Sequence, residues 1–128
     1  MNYKNNPLSP HLQIYKWQLS SLLSIAHRIV GVINILAITL ICLWSISLHF
    51  GENNYEITNF FFKSNYGKFI ILSLCWTFSF HILNEARHLA WDLGYGFDLK
   101  TSKITGTLAV LGSFVLTVLI YLLGRGII

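Results

Sequence analysis

Histidine, carboxylate and guanidinium groups interrupt an otherwise apolar stretch, FHILNEARHLAWDLG. Four of them recur at i, i+4, i+7 and i+11 and would share one face of a helix: His81, Glu85, His88 and Asp92. His81 would lie deepest, because it precedes Trp91 by ten residues, or about 15 Å along a helix axis. A neutral imidazole at that depth could bind haem iron. It could instead bond a neighbouring helix, and the spacing alone leaves both roles open.

A second polar face lies nearer the N-terminus, at i, i+3, i+4 and i+7: Ser24, His27, Arg28 and Gly31. Charged groups in a membrane usually face the bundle interior and mark a ligand or a pathway. Ser24 and Arg28 could hydrogen-bond a quinone carbonyl, with Trp17 packed on the ring. Alternatively, Arg28 reaches lipid phosphate and Ser24 packs or caps. Two antiparallel neighbouring helices would bring both polar faces to a similar depth.

The composition indicates the elements that must position these residues. Of the 128 residues, 54% are hydrophobic and 11% are charged, whereas soluble domains carry about 25% charged residues. Three apolar runs exceed the roughly 20 residues that a membrane helix needs. We therefore expect one all-α membrane domain over residues 1–128, with GENNYEITN as a polar connection. Its polar N-terminal segment covers residues 1–21, and its three spans cover about 22–49, 68–91 and 104–123.

Several other functions are excluded or disfavoured. The net charge of +4 comes from scattered Lys and Arg residues, so no basic patch suited to nucleic acid is expected. Cys42 and Cys75 lie in apolar runs and are predicted to be buried, inert thiols. No short apolar stretch with a cleavage site precedes Leu19, so no signal peptide is predicted. At the span ends, four Lys residues lie on the side of the N-terminus and three Lys or Arg residues lie on the other side. This excess of positive charge predicts that the N-terminus lies on the inner side of the membrane.

Two longer motifs resemble a known family. SPHLQIYKWQLSSLLSIAHRIVG and HILNEARHLAWDLGYG resemble the two signatures of the cytochrome b subunits of succinate dehydrogenase, the larger membrane anchors of respiratory complex II. The resemblance covers roughly residues 7–98, with both motifs in order. It implies a three-helix chain within a bundle that a second, smaller anchor subunit completes.

The resemblance also implies roles for single residues. His81 would be the axial ligand of haem b, with the second axial histidine supplied by the smaller anchor. The haem propionates would lie near His27 and Arg28, and less directly near His88. Ubiquinone would be held by Ser24 and Arg28, in a site also lined by Trp17, Ser21 and Ile25.

By the same resemblance, the chain is a non-catalytic subunit of succinate–quinone reductase. Its partners would be the iron–sulfur subunit, the flavoprotein subunit and the smaller anchor, in a mitochondrial or bacterial inner membrane. The N-terminus would face the matrix or the cytoplasm. An alternative without redox chemistry is a haem-free structural or assembly anchor, in which the polar residues serve only helix association.

The sequence departs from the family pattern at a few positions. Asn6 replaces a basic residue, Val30 replaces Ser or Thr, and Ala86 replaces a larger aliphatic residue. Glu85 stands where the family has glycine, which would suit the close approach of a flat macrocycle. An isolated carboxylate at this depth would be neutralised. We therefore expect Glu85 to be protonated, or paired with a cation such as Arg87 or one from the partner.

Overall fold

The structure, a computed structural model, describes residues 16–127. Four α-helices account for most of that range: α1, Leu19–Ser47; α2, Glu52–Lys63; α3, Asn65–Asp92; and α4, Leu99–Ile127. A 3₁₀ turn at Leu48–Phe50 follows α1. No strand occurs in residues 16–127, which agrees with the predicted all-α class.

Three of the helical segments are long and apolar enough to cross a bilayer: Leu19–Phe50, Asn65–Asp92 and Leu99–Gly124. Each predicted span lies inside one of these segments. The helices extend beyond the apolar runs because polar residues can form or cap a helix terminus without adding to its hydropathy. In α3, Ser64 caps the first turn and Asp92 is the last helical residue. Three membrane helices are therefore confirmed.

The helix α2 is an element that sequence analysis did not predict, because the stretch GENNYEITN was interpreted only as a polar connection. Its polar start is followed by NFFFK, in which Phe60 is exposed and Phe62 packs back toward the spans. The Phe62 ring meets the Trp44 ring edge-on, with centroids 5.6 Å apart. Ser64 is extended and separates α2 from α3, and its side chain accepts a hydrogen bond from the Gly67 amide. A short helix that combines polar and aromatic residues, as α2 does, is typical of an amphipathic helix at a membrane surface.

Interhelical hydrogen bonds join α3 to both of the other spans. Thr77 Oγ1 donates to Asn34 Oδ1 of α1 over 2.9 Å. On another face, Trp76 Nε1 donates to Ser113 Oγ of α4 over 3.1 Å. Polar side chains often join membrane helices in this way, because lipid offers them no partner. These bonds set α3 in register with α1 and α4.

Few apolar side chains are buried within the described chain. The fully buried hydrophobic residues are Leu23, Val30, Phe80 and Ala109, while most large apolar side chains of the three spans face outward. A soluble protein could not expose so much apolar surface. The outward surface must contact lipid or other membrane helices, which agrees with a chain that spans a membrane.

Candidate haem and quinone site

A stack of three histidine rings joins α1 to α3. His27 of α1 lies between His81 and His88 of α3, with ring centroids 4.2 Å and 5.2 Å away. The ring planes are tilted by only 25° and 17°. Positions seven apart on a helix are about 10.5 Å apart along its axis, which leaves space for one imidazole between them. The two polar faces identified in the sequence thus meet.

Glu85 lies on the turn between His81 and His88. Its Oε2 atom is 3.3 Å from Nε2 of His27, and its side chain is 63% exposed. The expected partner Arg87 points elsewhere, because residues two positions apart face different sides of a helix. The partner of Glu85 within the described residues is therefore a histidine of α1.

Two histidines of the stack, His27 and His88, differ in their hydrogen-bond partners. His27 Nε2 is buried and, within residues 16–127, has no hydrogen bond of good geometry, so Glu85 is an ion-pair contact only. His88 Nδ1 lies 2.7 Å from the backbone oxygen of Asn84. A carbonyl oxygen can only accept, so Nδ1 of His88 must bear the proton. A neutral His88 therefore presents a free lone pair on Nε2.

A single metal ion does not suit this cluster, although ligand atoms of His27, His81 and Glu85 lie within 4.8 Å of one another. An imidazole binds a metal through a lone pair in the plane of its ring. The rings of His27 and His81 are stacked and nearly parallel, so their lone pairs lie in separate planes and do not converge. For the same reason the two histidines cannot occupy opposite axial positions of one iron.

His81 borders an apolar groove between α1 and α3, which we call the His81 groove. It has a volume of about 280 Å³ and is lined by His81 and six further residues: Gly31, Asn34, Ile35, Ile38, Phe78 and Ile82. A Cβ atom on Gly31 would lie 3.2 Å from His81 Nε2, tighter than an ordinary van der Waals contact. The glycine leaves space beside Nε2 of His81. An open apolar groove with an imidazole at its edge fits part of a flat macrocycle, and a neighbouring chain would have to cover the rest.

Arg87 is buried and holds α3 against α4. Its guanidinium donates to Thr105 Oγ1, to Asn84 Oδ1, and to both the hydroxyl and the backbone oxygen of Ser102, over 2.9 to 3.2 Å. Its Cζ atom also lies 4.2 Å from the centroid of the Trp91 ring. None of these partners is acidic, so neutral acceptors and a cation–π contact solvate the charge.

The other candidate residues lie on a different side of α1. Arg28 and Ile25 are exposed, and Ser21 and Ser24 are half-buried on the first turns of the helix. Trp17 precedes α1 and is exposed. Successive helical residues point about 100° apart, so His27 faces α3 whereas Arg28 faces outward. The structure does not bring Arg28 into the histidine stack, and Asp92 is exposed at the end of α3.

Asn84 is a residue whose importance sequence analysis overlooked. Its side chain is fully buried, Oδ1 accepts from Arg87, and Nδ2 has no hydrogen-bond partner within the described chain. An amide inside an apolar run was the available signal, since buried polar groups in a membrane need partners. Asn84 lies about one helical turn from both His81 and His88 along α3.

Comparisons with known proteins show the family of this chain. Residues 2–120 match the profile of the family described as succinate dehydrogenase/fumarate reductase transmembrane subunit. The chain belongs to this family. A succinate dehydrogenase cytochrome b556 subunit of Rickettsia felis is 38% identical over 119 residues, which cover 93% of each chain. The cytochrome b556 subunit of Paracoccus denitrificans is 33% identical over 119 residues, covering 93% of this chain and 92% of its own.

A mitochondrial member of the family is similar as well. The cytochrome b560 subunit of Mus musculus is 39% identical over 118 residues, covering 85% of this chain and 68% of its own. The family thus includes bacterial and mitochondrial proteins, and the described part of the chain has the three membrane helices that a transmembrane subunit requires. The resemblance that the two motifs suggested is confirmed.

Proposed function

We propose that this chain is the cytochrome b anchor of a succinate dehydrogenase complex and helps to bind one haem b and ubiquinone. It would attach the flavoprotein and iron–sulfur subunits to a bacterial or mitochondrial inner membrane, beside a smaller anchor subunit. Its N-terminus would face the cytoplasm or matrix. The names of its relatives, which are succinate dehydrogenase cytochrome b subunits, support this role.

The observation that supports haem binding best is the position of His81. Its Nε2 atom lies against Gly31 at the edge of the apolar His81 groove, where the absence of a side chain on the glycine leaves more room beside the imidazole than any other residue would. Haem would supply a one-electron carrier at this position. His81 would bind its iron, while His27 would donate a hydrogen bond to an anionic propionate, and His88 would do so only as an imidazolium protonated on both nitrogens.

The second axial ligand would come from the smaller anchor. His27 is stacked on His81, so its lone pair cannot oppose that of His81 across one iron. His88 lies two turns along the same helix and on the same face, so it cannot reach the opposite side either. A histidine from a neighbouring chain completes the coordination.

The quinone site would use the outward face of the first turns of α1. Arg28 is exposed and makes no ion pair or hydrogen bond with residues 16–127. It would donate to a quinone carbonyl, with Ser24 one turn away as a second donor. Ser21, Ile25 and Trp17 would line the ring. Covering subunits would exclude water from this face and leave a path for the electron from the iron–sulfur subunit.

Replacing His81 by Ala tests the haem assignment. In the purified complex we expect the b-type band of the reduced-minus-oxidised spectrum to be lost, with subunit content unchanged. His49, in the 3₁₀ turn at the other end of α1, is the matched control, and its replacement by Ala should leave the band intact. Equal bands in both variants would refute His81 as the ligand.

A second measurement addresses the haem-free alternative. If the unmodified complex contains all four subunits but gives no b-type band, the chain is a structural anchor and haem binding is wrong. This alternative has some support from Glu85, whose carboxylate lies one turn from His81 on the same face. The quinone assignment is tested separately, because it does not depend on haem.

Replacing Arg28 by Ala tests the quinone assignment. We expect succinate–quinone reductase activity to fall by at least about tenfold, since a hydrogen bond to a charged donor contributes about 1.5–3 kcal/mol. Succinate oxidation with a soluble dye should persist, because that chemistry occurs on another subunit. Replacing Lys103, an exposed cation of α4, by Ala should change neither activity. An unaffected quinone reductase in the Arg28 variant would contradict the proposal.

A further inference from the structure

The positive charge of Arg87 is not explained by its hydrogen bonds. The residue is only 7% exposed, and its hydrogen bonds to Asn84, Ser102 and Thr105 all end on neutral oxygen atoms. A neutral donor could bond such oxygens without the free-energy cost of burying a charge. Ionisable residues inside a membrane segment usually mark a functional site. The charge itself therefore points to a role beyond joining α3 to α4.

No carboxylate of the described chain neutralises this charge. Glu85 precedes Arg87 by two residues, lies on a different face of α3 and contacts His27 instead. Asp92 and Asp98 are exposed at the two ends of the loop between α3 and α4. Within the described residues, no salt bridge joins Arg87 to any acidic group. The guanidinium is therefore a buried cation whose electric field is not cancelled by a nearby anion.

The guanidinium of Arg87 also has a fixed position close to the histidine stack. Its Cζ atom lies 4.2 Å from the centroid of the Trp91 ring. That centroid in turn lies 5.0 Å from the centroid of the His88 ring. The Trp91 ring is held in place because its Nε1 atom donates to the Gly96 backbone oxygen over 3.2 Å. One aromatic ring thus contacts both the cation and the face of α3 that carries His81 and His88.

The separation along α3 indicates how strongly the charge acts at the haem ligand. Arg87 follows His81 by six residues, about 9 Å along the helix axis, and the two side chains point about 120° apart. The charge therefore acts over a distance on the order of 15 Å. At an effective dielectric constant of about 20, a unit charge at that distance changes the ratio of reduced to oxidised forms of a redox centre by about three- to tenfold.

We propose that Arg87 tunes the haem: its buried charge stabilises the ferrous form of a haem bound at His81. Reduction adds one electron to the iron, and a fixed positive charge favours the added negative charge. In the proposed function, this electron comes from succinate by way of the iron–sulfur subunit. The inference rests on that function and assigns a redox role to a residue outside the polar face of His81.

Redox titration of the purified four-subunit complex tests the role of the charge. At the midpoint potential of the unmodified complex, replacing Arg87 by Gln should lower the ratio of ferrous to ferric haem by about three- to tenfold. Replacing Arg87 by Lys keeps the charge but loses the planar fork that bonds several oxygens, so the ratio should stay within about twofold. A structural role alone would change both variants alike, and equal changes in the two would overturn the proposal.

A second pair of variants leaves Arg87 in place. Ser102 Oγ accepts from Arg87 Nη2 over 2.9 Å, so replacing Ser102 by Asp puts a carboxylate against the guanidinium and cancels its charge. Replacing Ser102 by Asn is the matched control, because Asn has nearly the size of Asp and no charge. We expect the Asp variant to lower the ferrous-to-ferric ratio by about three- to tenfold and the Asn variant to keep it within about twofold. Equal ratios in these two variants would refute the proposal even if no Arg87 variant assembles.

The titration also separates this inference from the proposed function. If the unmodified complex gives no b-type band, haem binding is wrong and the role of Arg87 is wrong with it. If the band is present and the ratio does not change in the Gln and Asp variants, haem binding stands and only the role of Arg87 is wrong.

Discussion

At the scale of single residues, Gly31 has a role that only its neighbour explains. Glycines in membrane helices often serve general close packing, but this one faces a nitrogen atom of His81. An added methyl group would lie 3.2 Å from Nε2 and would push the imidazole away or block a planar ligand.

Replacing Gly31 by Ala should therefore lower the haem content of the complex at constant protein content. The reduced-minus-oxidised spectrum, normalised to subunit amount, measures this. Gly124, whose added Cβ would meet no atom within 4 Å, is the control, and its replacement by Ala should leave the spectrum unchanged. Full haem content in the Gly31 variant would show that the space beside His81 is not used.

Glu85 was expected to be protonated or paired with a cation such as Arg87, and of these alternatives only the pairing with Arg87 is excluded. The structure pairs it with His27 rather than with Arg87, because Arg87 points toward α4. An ionised Glu85 carboxylate would favour the ferric form of a haem bound at His81, through its negative charge.

Replacing Glu85 by Gln, which keeps the size of the side chain, should raise the haem midpoint potential by roughly 20–60 mV. Redox titration of the complex measures the potential. The control is Asp92 replaced by Asn, since that carboxylate is exposed at the end of the same helix. An unchanged potential in the Glu85 variant would indicate that the carboxyl group is already neutral.

At the scale of helices, the contact between α3 and α4 depends on a buried cation. Arg87 reaches Ser102 and Thr105 across the interface and Asn84 on its own helix. Without it, the serine and threonine hydroxyls still have backbone acceptors nearby, as Thr105 already does. Asn84 is fully buried and would lose its main donor.

Replacing Arg87 by Leu should lower the free energy of unfolding by about 2–4 kcal/mol, because charged hydrogen bonds are lost and a buried amide is left unpaired. Unfolding of the complex in mixed detergent micelles, followed by circular dichroism, measures the change. Arg28 replaced by Leu is the matched control, since Arg28 is exposed and makes no such bonds. A similar loss in both variants would mean that Arg87 is not a specific clamp.

At the scale of the whole molecule, the chain is an incomplete bundle. Its buried apolar core is small, the His81 groove is open on one side, and the stacked geometry of His27 and His81 provides one axial ligand at most. Lipid or neighbouring membrane helices must cover these surfaces.

The chain purified without other subunits should therefore give little or none of the b-type band that the complex gives. Co-expression with the smaller anchor should restore it, because the second axial ligand then becomes available. Spectra of both preparations at equal chain concentration make the comparison. A full six-coordinate spectrum from the isolated chain would show that it supplies both ligands itself.

The sequence by itself determined the all-α membrane class, the three spans and the family. Apolar runs of sufficient length admit no other backbone in lipid, and the two long motifs identify the family. The spacing of His81, Glu85 and His88 also fixed their shared helical face, because the period of a helix is constant.

Only the tertiary structure decided what those faces contact. The insertion of His27 between two histidines depends on the depth at which α1 meets α3, which no local pattern specifies. The Arg87 side chain points toward α4 because Ser102 and Thr105 lie beside it there and accept its hydrogen bonds. The helix α2 was not predicted because its polar start hides an aromatic end, whose Phe62 ring contacts the distant Trp44. Contacts between distant residues, rather than local propensity, stabilise these features.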